Sequence, residues 1–437
     1  MRALLDRGVE RLARLLLRVF FRSVEVTGAA RIPRGMPLLI VANHVNSVVD
    51  PLLLLAFVDG RARMLAKSTL WSHPVMGPLL VLAGALPVYR RQDAGADVAK
   101  NFTTFARCHE TLARGGSVAL FPEGTSHNQP GRLPLKTGAA RIALETGARH
   151  GATGLCILPV GLVYEAKDRF RSRVLVNIGE PIDPATEARR YETGARAAVR
   201  ALTERLARSL EAVTTSYSSW EEARLLELAA AVAGASSLAE RFVRSRAFLA
   251  SYRELAARAP ERVASITASL AQYEGHLRGL RIRDEDVAES VTRARAWRDL
   301  AWHLPLGALG ALLNYLPYRA TGWVTRRFAR TPDEPATYMV LAALLFFPAG
   351  WAINALVAAL LGGAWVGLLV AALGPATGYA ALDLRAARRR LARRPPEASV
   401  VRERDELARL LSRLLEEVDE VAVARDRAEG ERQRAAP

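Results

Sequence analysis

The spacing of apolar and polar positions changes character along the chain. Between residues 36 and 185, short apolar runs alternate with helical patterns. Leu38 to Ala42, Met64 to Ala66, Leu86 to Tyr89, Val118 to Phe121, Cys156 to Val160 and Val174 to Ile178 read as strands. Residues 99–114 set Phe102, Phe105, His109 and Leu112 at helical spacing, and 137–149 reads as a further helix. Strands alternating with helices predict a layered α/β fold, a mixed sheet flanked by helices. Residues 186–298 carry no strand-like run and few turn formers, so a helical module is expected to follow.

Beyond that module the pattern stops being amphipathic. No charged side chain occurs between Glu334 and Asp383. At about 1.5 Å per residue such a stretch makes about 70 Å of helix, enough for two crossings of a hydrocarbon core about 30 Å thick. Gly362 and Gly363 near its middle would supply the reversal, giving a transmembrane hairpin of residues 338–361 and 364–382. Arg319, Arg326, Arg327 and Arg330 flank one end, and Arg385, Arg388, Arg389, Arg390, Arg393 and Arg394 flank the other. Both ends are therefore expected on the cytoplasmic side. Residues 300–318, interrupted by His303, Pro305, Asn314 and Pro317, are expected to be interfacial or re-entrant.

At the start of the chain Arg7, Arg11, Arg14, Arg18 and Arg22 recur every three or four residues. Leu5, Val9, Leu12, Leu16, Val19 and Phe20 fill the opposite stripe. An uninterrupted apolar stretch of the signal-peptide kind is missing, and the reading is a basic amphipathic helix on a bilayer surface. The expected organisation is then an amphipathic helix over 1–22, a catalytic domain over 23–215 and a helical module over 216–299. A membrane region follows over 300–384, with its hairpin at about 338–382, and a basic helical tail over 385–437. In that tail Leu407, Leu410, Leu411, Leu414, Leu415 and Val418 share one face.

Composition narrows the partners. The net charge of +17 over 437 residues points to a polyanion, and a hydrophobic content of 50% favours anionic membrane lipids over nucleic acid. Cys108 and Cys156 are the two cysteines, without CxxC or Cys/His ligand spacing, so neither a disulfide framework nor a zinc site is expected. There is no GxSxG, GxGxxG, P-loop or HExxH pattern, and no cofactor or metal is called for.

The candidate chemistry lies at the ends of the expected strands. Asn43-His44-Val45-Asn46-Ser47-Val48-Val49-Asp50 sends an imidazole off the strand end, with a carboxylate six residues on that could bind its other nitrogen. Such a pair fixes the tautomer and stabilises the imidazolium formed when the ring takes a proton. Phe121-Pro122-Glu123-Gly124-Thr125-Ser126 reads as a rigid turn presenting a carboxylate and backbone N–H groups. Arg90 and Arg91 close a strand with paired guanidinium groups, and Lys136 stands before a helix; both suit phosphate oxygens. His44, Lys67, Arg90, Glu123 and the turn at Pro159-Val160-Gly161 all fall at C-terminal strand ends, where open α/β sheets bind ligands.

Taken in this order, these blocks resemble the glycerol-3-phosphate and lysophosphatidate (1-acylglycerol-3-phosphate) acyltransferase family. Its marks are NHxxxxD, a Gly-apolar-Pro/Phe-x-x-Arg stretch, FPEGTS and a late apolar-Pro turn, here residues 43–50, 84–91, 121–126 and 157–161. The resemblance implies that His44 is the catalytic base and Asp50 its partner. It further implies that Arg90, Glu123, Gly124 and Thr125 hold the acceptor and that the region around Pro159 borders the acyl-donor site. The expected reaction moves an acyl group from acyl-CoA or acyl carrier protein to a glycerophosphate hydroxyl, in a membrane protein whose catalytic domain faces the cytoplasm. The long layout, with a helical segment and a C-terminal hairpin, looks like the subgroup that acylates glycerol-3-phosphate or dihydroxyacetone phosphate. Lysophospholipid acylation, transacylase remodelling and a non-catalytic lipid-binding scaffold are the alternatives.

Overall fold

Residues Leu38–Ala42 are apolar throughout because both faces of their strand are covered, as in the centre of a parallel sheet. The computed structural model describes residues 2–90, 93, 97–151, 154–288, 293–331, 333–392 and 396–435. In chain order the elements are α1 (Arg2–Phe20), β1 (Ser23–Thr27), β2 (Leu38–Ala42), α2 (Val49–Phe57), β3 (Arg63–Lys67), α3 (Met76–Ala83), β4 (Leu86–Val88), α4 (Asn101–Ala113), β5 (Ser117–Leu120), α5 (Gly138–His150), β6 (Cys156–Tyr164), β7 (Arg173–Ile178) and α6 (Ala185–Val213). Helices follow: α7 (Trp220–Val232), α8 (Leu238–Arg258), α9 (Pro260–Leu280), α10 (Asp284–Ala288), α11 (Arg293–Leu313), α12 (Tyr315–Phe328), α13 (Pro335–Gly362), α14 (Ala364–Ala392) and α15 (Ala398–Ala435). Two compact units result, Met1–Ser216 with Tyr315–Ile353, and Tyr217–Asn314 with Asn354–Pro437.

The first unit is built on a seven-stranded mixed sheet in the order β1-β7-β6-β2-β5-β3-β4. All pairs are parallel except β6 with β7. Leu38, Ile40 and Ala42 face a core shared with α1, α2 and the start of α13. Leu39 and Val41 face a second core, made with α4, α5 and α6. Period-two alternation along a strand with two apolar faces thus produces the three layers. Since β6, β2, β5, β3 and β4 are mutually parallel, their C-terminal ends share one edge. In spatial order it carries Tyr164, His44, Glu123, Lys67 and Arg90.

The N-terminal helix divides its apolar surface. Ala13, Leu17 and Phe20 are buried in the sheet's core, while Leu4, Leu5, Leu12 and Leu15 stay exposed among Arg7, Arg11 and Arg18. The stripe expected to lie on a bilayer is therefore split, because α1 also packs on α2, where Arg14 donates to the Ala56 carbonyl at 2.7 Å.

The second unit is helical. Ser219 and Ser237 start α7 and α8, each accepting from the backbone N–H of a glutamate three residues on, Glu222 and Glu240. These are the Ser-x-x-Glu capping boxes. Leu407, Leu411 and Leu414 of α15 are buried with Tyr273, Leu270 and Phe248, so the tail's apolar face closes this helical core. Leu410 stays exposed, and the side chain of Val418 lies outside the described residues.

Helices α13 and α14 are each long and apolar enough to cross a membrane, and only 11% and 17% of their most apolar windows are buried. A buried hairpin of a soluble core would show the reverse. They join at Gly363, whose φ of +88° is the left-handed geometry that ends helices at glycine. Residues 300–318 complete α11 and begin α12, with the break at Asn314. A Cβ on Gly310 would lie 2.0 Å from the Thr377 carbonyl oxygen, so glycine lets α11 lie directly along α14.

Candidate active site

The strand β2 ends in a loop held by its own polar side chains. Asn43 accepts from the backbone N–H of Leu162 at 2.7 Å and donates to the Leu162 carbonyl at 3.0 Å, extending the β2–β6 ladder through a side chain. The chain then turns into α2, whose first turn carries Asp50, fully buried. Asp50 Oδ2 accepts from the backbone N–H groups of Val45 at 2.8 Å and Asn46 at 2.7 Å, and it lies 2.9 Å from His44 Nδ1. A carboxylate oxygen already accepting two amide protons is an acceptor toward the ring as well, so Nδ1 carries the proton. That leaves Nε2 with a lone pair. The ring stacks on Phe121 with centroids 4.0 Å apart and stays partly open to solvent.

Tyr164, at the end of β6, donates its hydroxyl to Asp50 Oδ1. Burial and the neighbouring carboxylate push that phenol well above its ordinary range, so it is a donor at every working pH. Sequence reading ended β6 at Val160 and did not include Tyr164. The signal was present, since Leu158, Val160, Leu162 and Tyr164 alternate onto one face of the strand.

Glu123, at the end of β5, is also buried, with a side chain sealed from solvent. His127 Nε2 approaches its Oε2 to 2.5 Å. That contact is the close polar neighbour of Glu123, and Oε1 makes no hydrogen bond among the described residues. Gly124 follows with φ +75°, and an added Cβ there would sit 2.9 Å from Lys136 Cδ. Lys136 donates its backbone N–H to the Pro122 carbonyl at 2.7 Å, with its alkyl chain laid over Gly124. Thr125 directs its hydroxyl to the Ser126 carbonyl at 3.2 Å.

Arg90 is occupied in this structure. Its Nε and Nη2 reach Asp93 at 3.2 and 3.3 Å, while Nη1 donates to the Gly124 carbonyl at 2.8 Å. Lys67 Nζ lies 3.2 Å from Asp93 as well. Burial raises the Asp93 carboxyl, but the hydrogen bonds from Arg90 and Lys67 outweigh it and hold the group below the ordinary carboxylate range. Arg90 is thus both a cation at the edge and a strut fixing the Glu123-Gly124 turn. Arg91 lies outside the described residues. Pro159 is buried inside β6, opposite Val41, and its carbonyl accepts from Gly179 at 2.9 Å. It lies within the sheet, and the strand runs on to Tyr164 before reaching the edge.

The two motif loops are tied to each other. His127 donates its backbone N–H to the His44 carbonyl at 3.2 Å, and Lys167 Nζ donates to the carbonyls of Val45 at 2.8 Å and His127 at 3.1 Å. The Lys167 ammonium is lowered from its ordinary value by burial, against the pull of Asp333 and Asp50. Among the described residues no group of three His, Cys, Asp or Glu side chains could hold a metal ion.

Residues 23–163 match the Acyltransferase family model. Over 257 residues, 40% of this chain and 38% of the relative, the chain is 28% identical to an uncharacterised acyltransferase of Schizosaccharomyces pombe. It is 36% identical over 121 residues to glycerol-3-phosphate O-acyltransferase 1 of Saccharomyces cerevisiae, covering 27% of this chain and 16% of that one. It is also 29% identical over 154 residues to the 1-acyl-sn-glycerol-3-phosphate acyltransferase of Borreliella burgdorferi, covering 35% and 56%. Each match spans less than two thirds of the relative's own length.

Proposed function

We propose, from the premise that residues 23–163 form an acyltransferase domain, that the protein moves an acyl group from a thioester to a hydroxyl of glycerol-3-phosphate at a membrane surface. The observation that carries the reading is the pairing of His44 with the fully buried Asp50, beside a second buried carboxylate, Glu123, at the same sheet edge.

In this mechanism His44 Nε2 takes the proton of the acceptor hydroxyl as its oxygen attacks the thioester carbonyl. Asp50 keeps Nδ1 protonated and balances the imidazolium that forms. The tetrahedral oxyanion then collapses, the C–S bond breaks, and His44 returns the proton to the departing thiolate. General-base assistance of this kind contributes about 10² to 10⁴ in rate, and the rest comes from positioning both substrates. Glu123 would accept from a second hydroxyl of the acceptor. Arg90 and Lys136 would face its phosphate, and Gly124 and Thr125 shape the turn between them. The acyl donor is acyl-CoA or acyl carrier protein, and the role of Pro159 reduces to shaping the donor side of the sheet.

Two apolar helices and arginine clusters at both ends of the hairpin support membrane anchoring with the catalytic unit on the cytoplasmic face, against anionic lipid. The test is purified protein in mixed micelles with one acyl-CoA held constant. The expected result is a higher kcat/KM for glycerol-3-phosphate than for lysophosphatidate. A clear preference for lysophosphatidate would reassign the acceptor, and no transfer to either would refute the reading.

A further inference from the structure

The segment that leads into α13 is far along the chain from the motif loops, yet it reaches both. Asp333 Oδ2 accepts from Ser47 Oγ at 2.9 Å and from Ser126 Oγ at 2.5 Å, and the two hydroxyl oxygens are 3.0 Å apart. Ser47 sits between His44 and Asp50, and Ser126 stands three residues after Glu123. Thr337 then accepts from the backbone N–H of Val48 at 3.3 Å. Ala336 and Val340 are 1% and 4% exposed in the core that includes Val49 and Leu53 of α2. The first turns of α13 therefore belong to the catalytic sheet's own packing, while little of its most apolar stretch is buried.

Burial works to raise the Asp333 carboxyl, but hydrogen bonds from Ser126, Thr331 and Ser47 bring it below its ordinary range. It is thus a charged acceptor at neutral pH, and charge-assisted hydrogen bonds are about twice as strong as neutral ones. Lys167 ties the same two loops through the Val45 and His127 carbonyls. Two struts of opposite charge therefore set the separation of His44 from Glu123, which have to engage one acceptor molecule together.

We infer that Asp333 is a positioning residue for acyl transfer: it locks the 43–50 loop to the 121–127 loop, so that the apolar helix α13 begins with the element that sets the active-site geometry. The kinetic part rests on the proposed acyl transfer, whereas the loop-locking part does not. A displacement of about 1 Å at a reacting centre costs about 10²-fold in rate, so a loosened strap should appear in turnover.

The experiment uses the full chain in detergent micelles and compares D333A and D333N with the parent protein. Hydrogen exchange is read in peptides covering 43–50 and 121–127, together with kcat, both KM values and the melting temperature. D333A should raise exchange in both peptides by about tenfold and lower kcat by about tenfold or more, with the thioester KM within about twofold. D333N keeps an oxygen that accepts from the serines and should recover most of both. Unchanged exchange in D333A would overturn the strap, and so would raised exchange with an unchanged kcat. A rise in exchange spread over the whole sheet with a fall in melting temperature would also overturn it, leaving Asp333 a general stabiliser. If the parent protein transfers no acyl group, the reaction assignment falls, and the exchange data still decide the loop-locking.

Discussion

Adjacent strands β2 and β5 each end beside a buried carboxylate, and the protein treats the two in opposite ways. Asp50 is saturated: two backbone amides, an imidazole and a phenol all donate to it. Glu123, equally buried, has a single close polar neighbour, His127 Nε2 at 2.5 Å from its Oε2. A buried polar group left unpaired costs about 1–3 kcal/mol, and more when charged. The sheet therefore directs four donors to the carboxylate that orients a ring and leaves the other with acceptor capacity at Oε1. On the proposed reading, such a difference separates a group that acts through its neighbour from one that accepts from an incoming hydroxyl.

The largest expected effect is at the saturated corner. His44→Ala should lower kcat by about 10² to 10⁴ without loss of folding or membrane insertion, because the ring stacks at the surface edge and fills no core. Activity above about a tenth of the parent would remove His44 from the role of base. Asp50→Asn should fall short of that loss. An amide oxygen in the Oδ2 position can still accept from Val45, Asn46 and the ring, and Tyr164 can turn to accept from the amide NH₂. Geometry and tautomer survive, and the negative charge opposite the imidazolium does not. Steady-state kinetics on both variants, with circular dichroism as the folding control, decide the order.

The parts of this arrangement that were legible in sequence are those whose neighbours are close in sequence or repeat. Continuous apolar runs located β2 and β5, and the six-residue interval joined His44 to Asp50. β1 was missed because Ser-Val-Glu-Val-Thr is half polar and only partly covered on its outer position. Helices α2 and α3 were missed for the opposite reason. Val-Asp-Pro-Leu-Leu-Leu-Leu-Ala-Phe and Met-Gly-Pro-Leu-Leu-Val-Leu-Ala are too uniformly apolar to show a helical period. Tyr164 and Asp333 lie 114 and 286 residues from their partners, Asp50 and Ser47, and no local pattern announces such contacts. Likewise, the strip of α1 that packs on the sheet could not be told from the strip left exposed, since both are apolar and the helix is basic around them.

The Glu123 corner offers a smaller effect with a different signature. Glu123→Gln should reduce kcat/KM by about 10- to 100-fold, mostly through the acceptor KM, as expected for a lost hydrogen bond to a charged group worth about 1.5–3 kcal/mol. The comparison also predicts stability. Removing charge from Asp50 weakens four hydrogen bonds, whereas removing it from Glu123 weakens the single contact to His127. Thermal melting in micelles should drop further for Asp50→Asn than for Glu123→Gln. An equal drop in both would mean that Glu123 is satisfied in solution and the contrast between the corners is lost.

The smallest effect belongs to Arg90, which holds the turn beside Glu123 and is proposed to face the acceptor phosphate. Arg90→Ala should raise the acceptor KM by about tenfold while leaving the thioester KM unchanged, if the proposed charge-assisted bond to the acceptor phosphate forms beside its internal contacts. Asp93→Asn probes the internal share alone. It frees the guanidinium from its anchor and should raise the acceptor KM only by about threefold. The pH dependence follows from the sign of the Asp93 shift. Its carboxyl is held below the ordinary range by Arg90 and Lys67 against the opposing effect of burial, so the clamp is complete above the unfolded-state value, about 3.9. It is lost only as pH falls through the lower folded-state value. Between about pH 5 and 8 the Arg90–Asp93 pair should therefore add no inflection to the acceptor KM. Parent and Asp93→Asn profiles should run parallel there. An inflection in that window that vanishes in Asp93→Asn would show the carboxyl titrating freely, and Arg90 would then be an unanchored surface cation rather than a strut shared between substrate and turn.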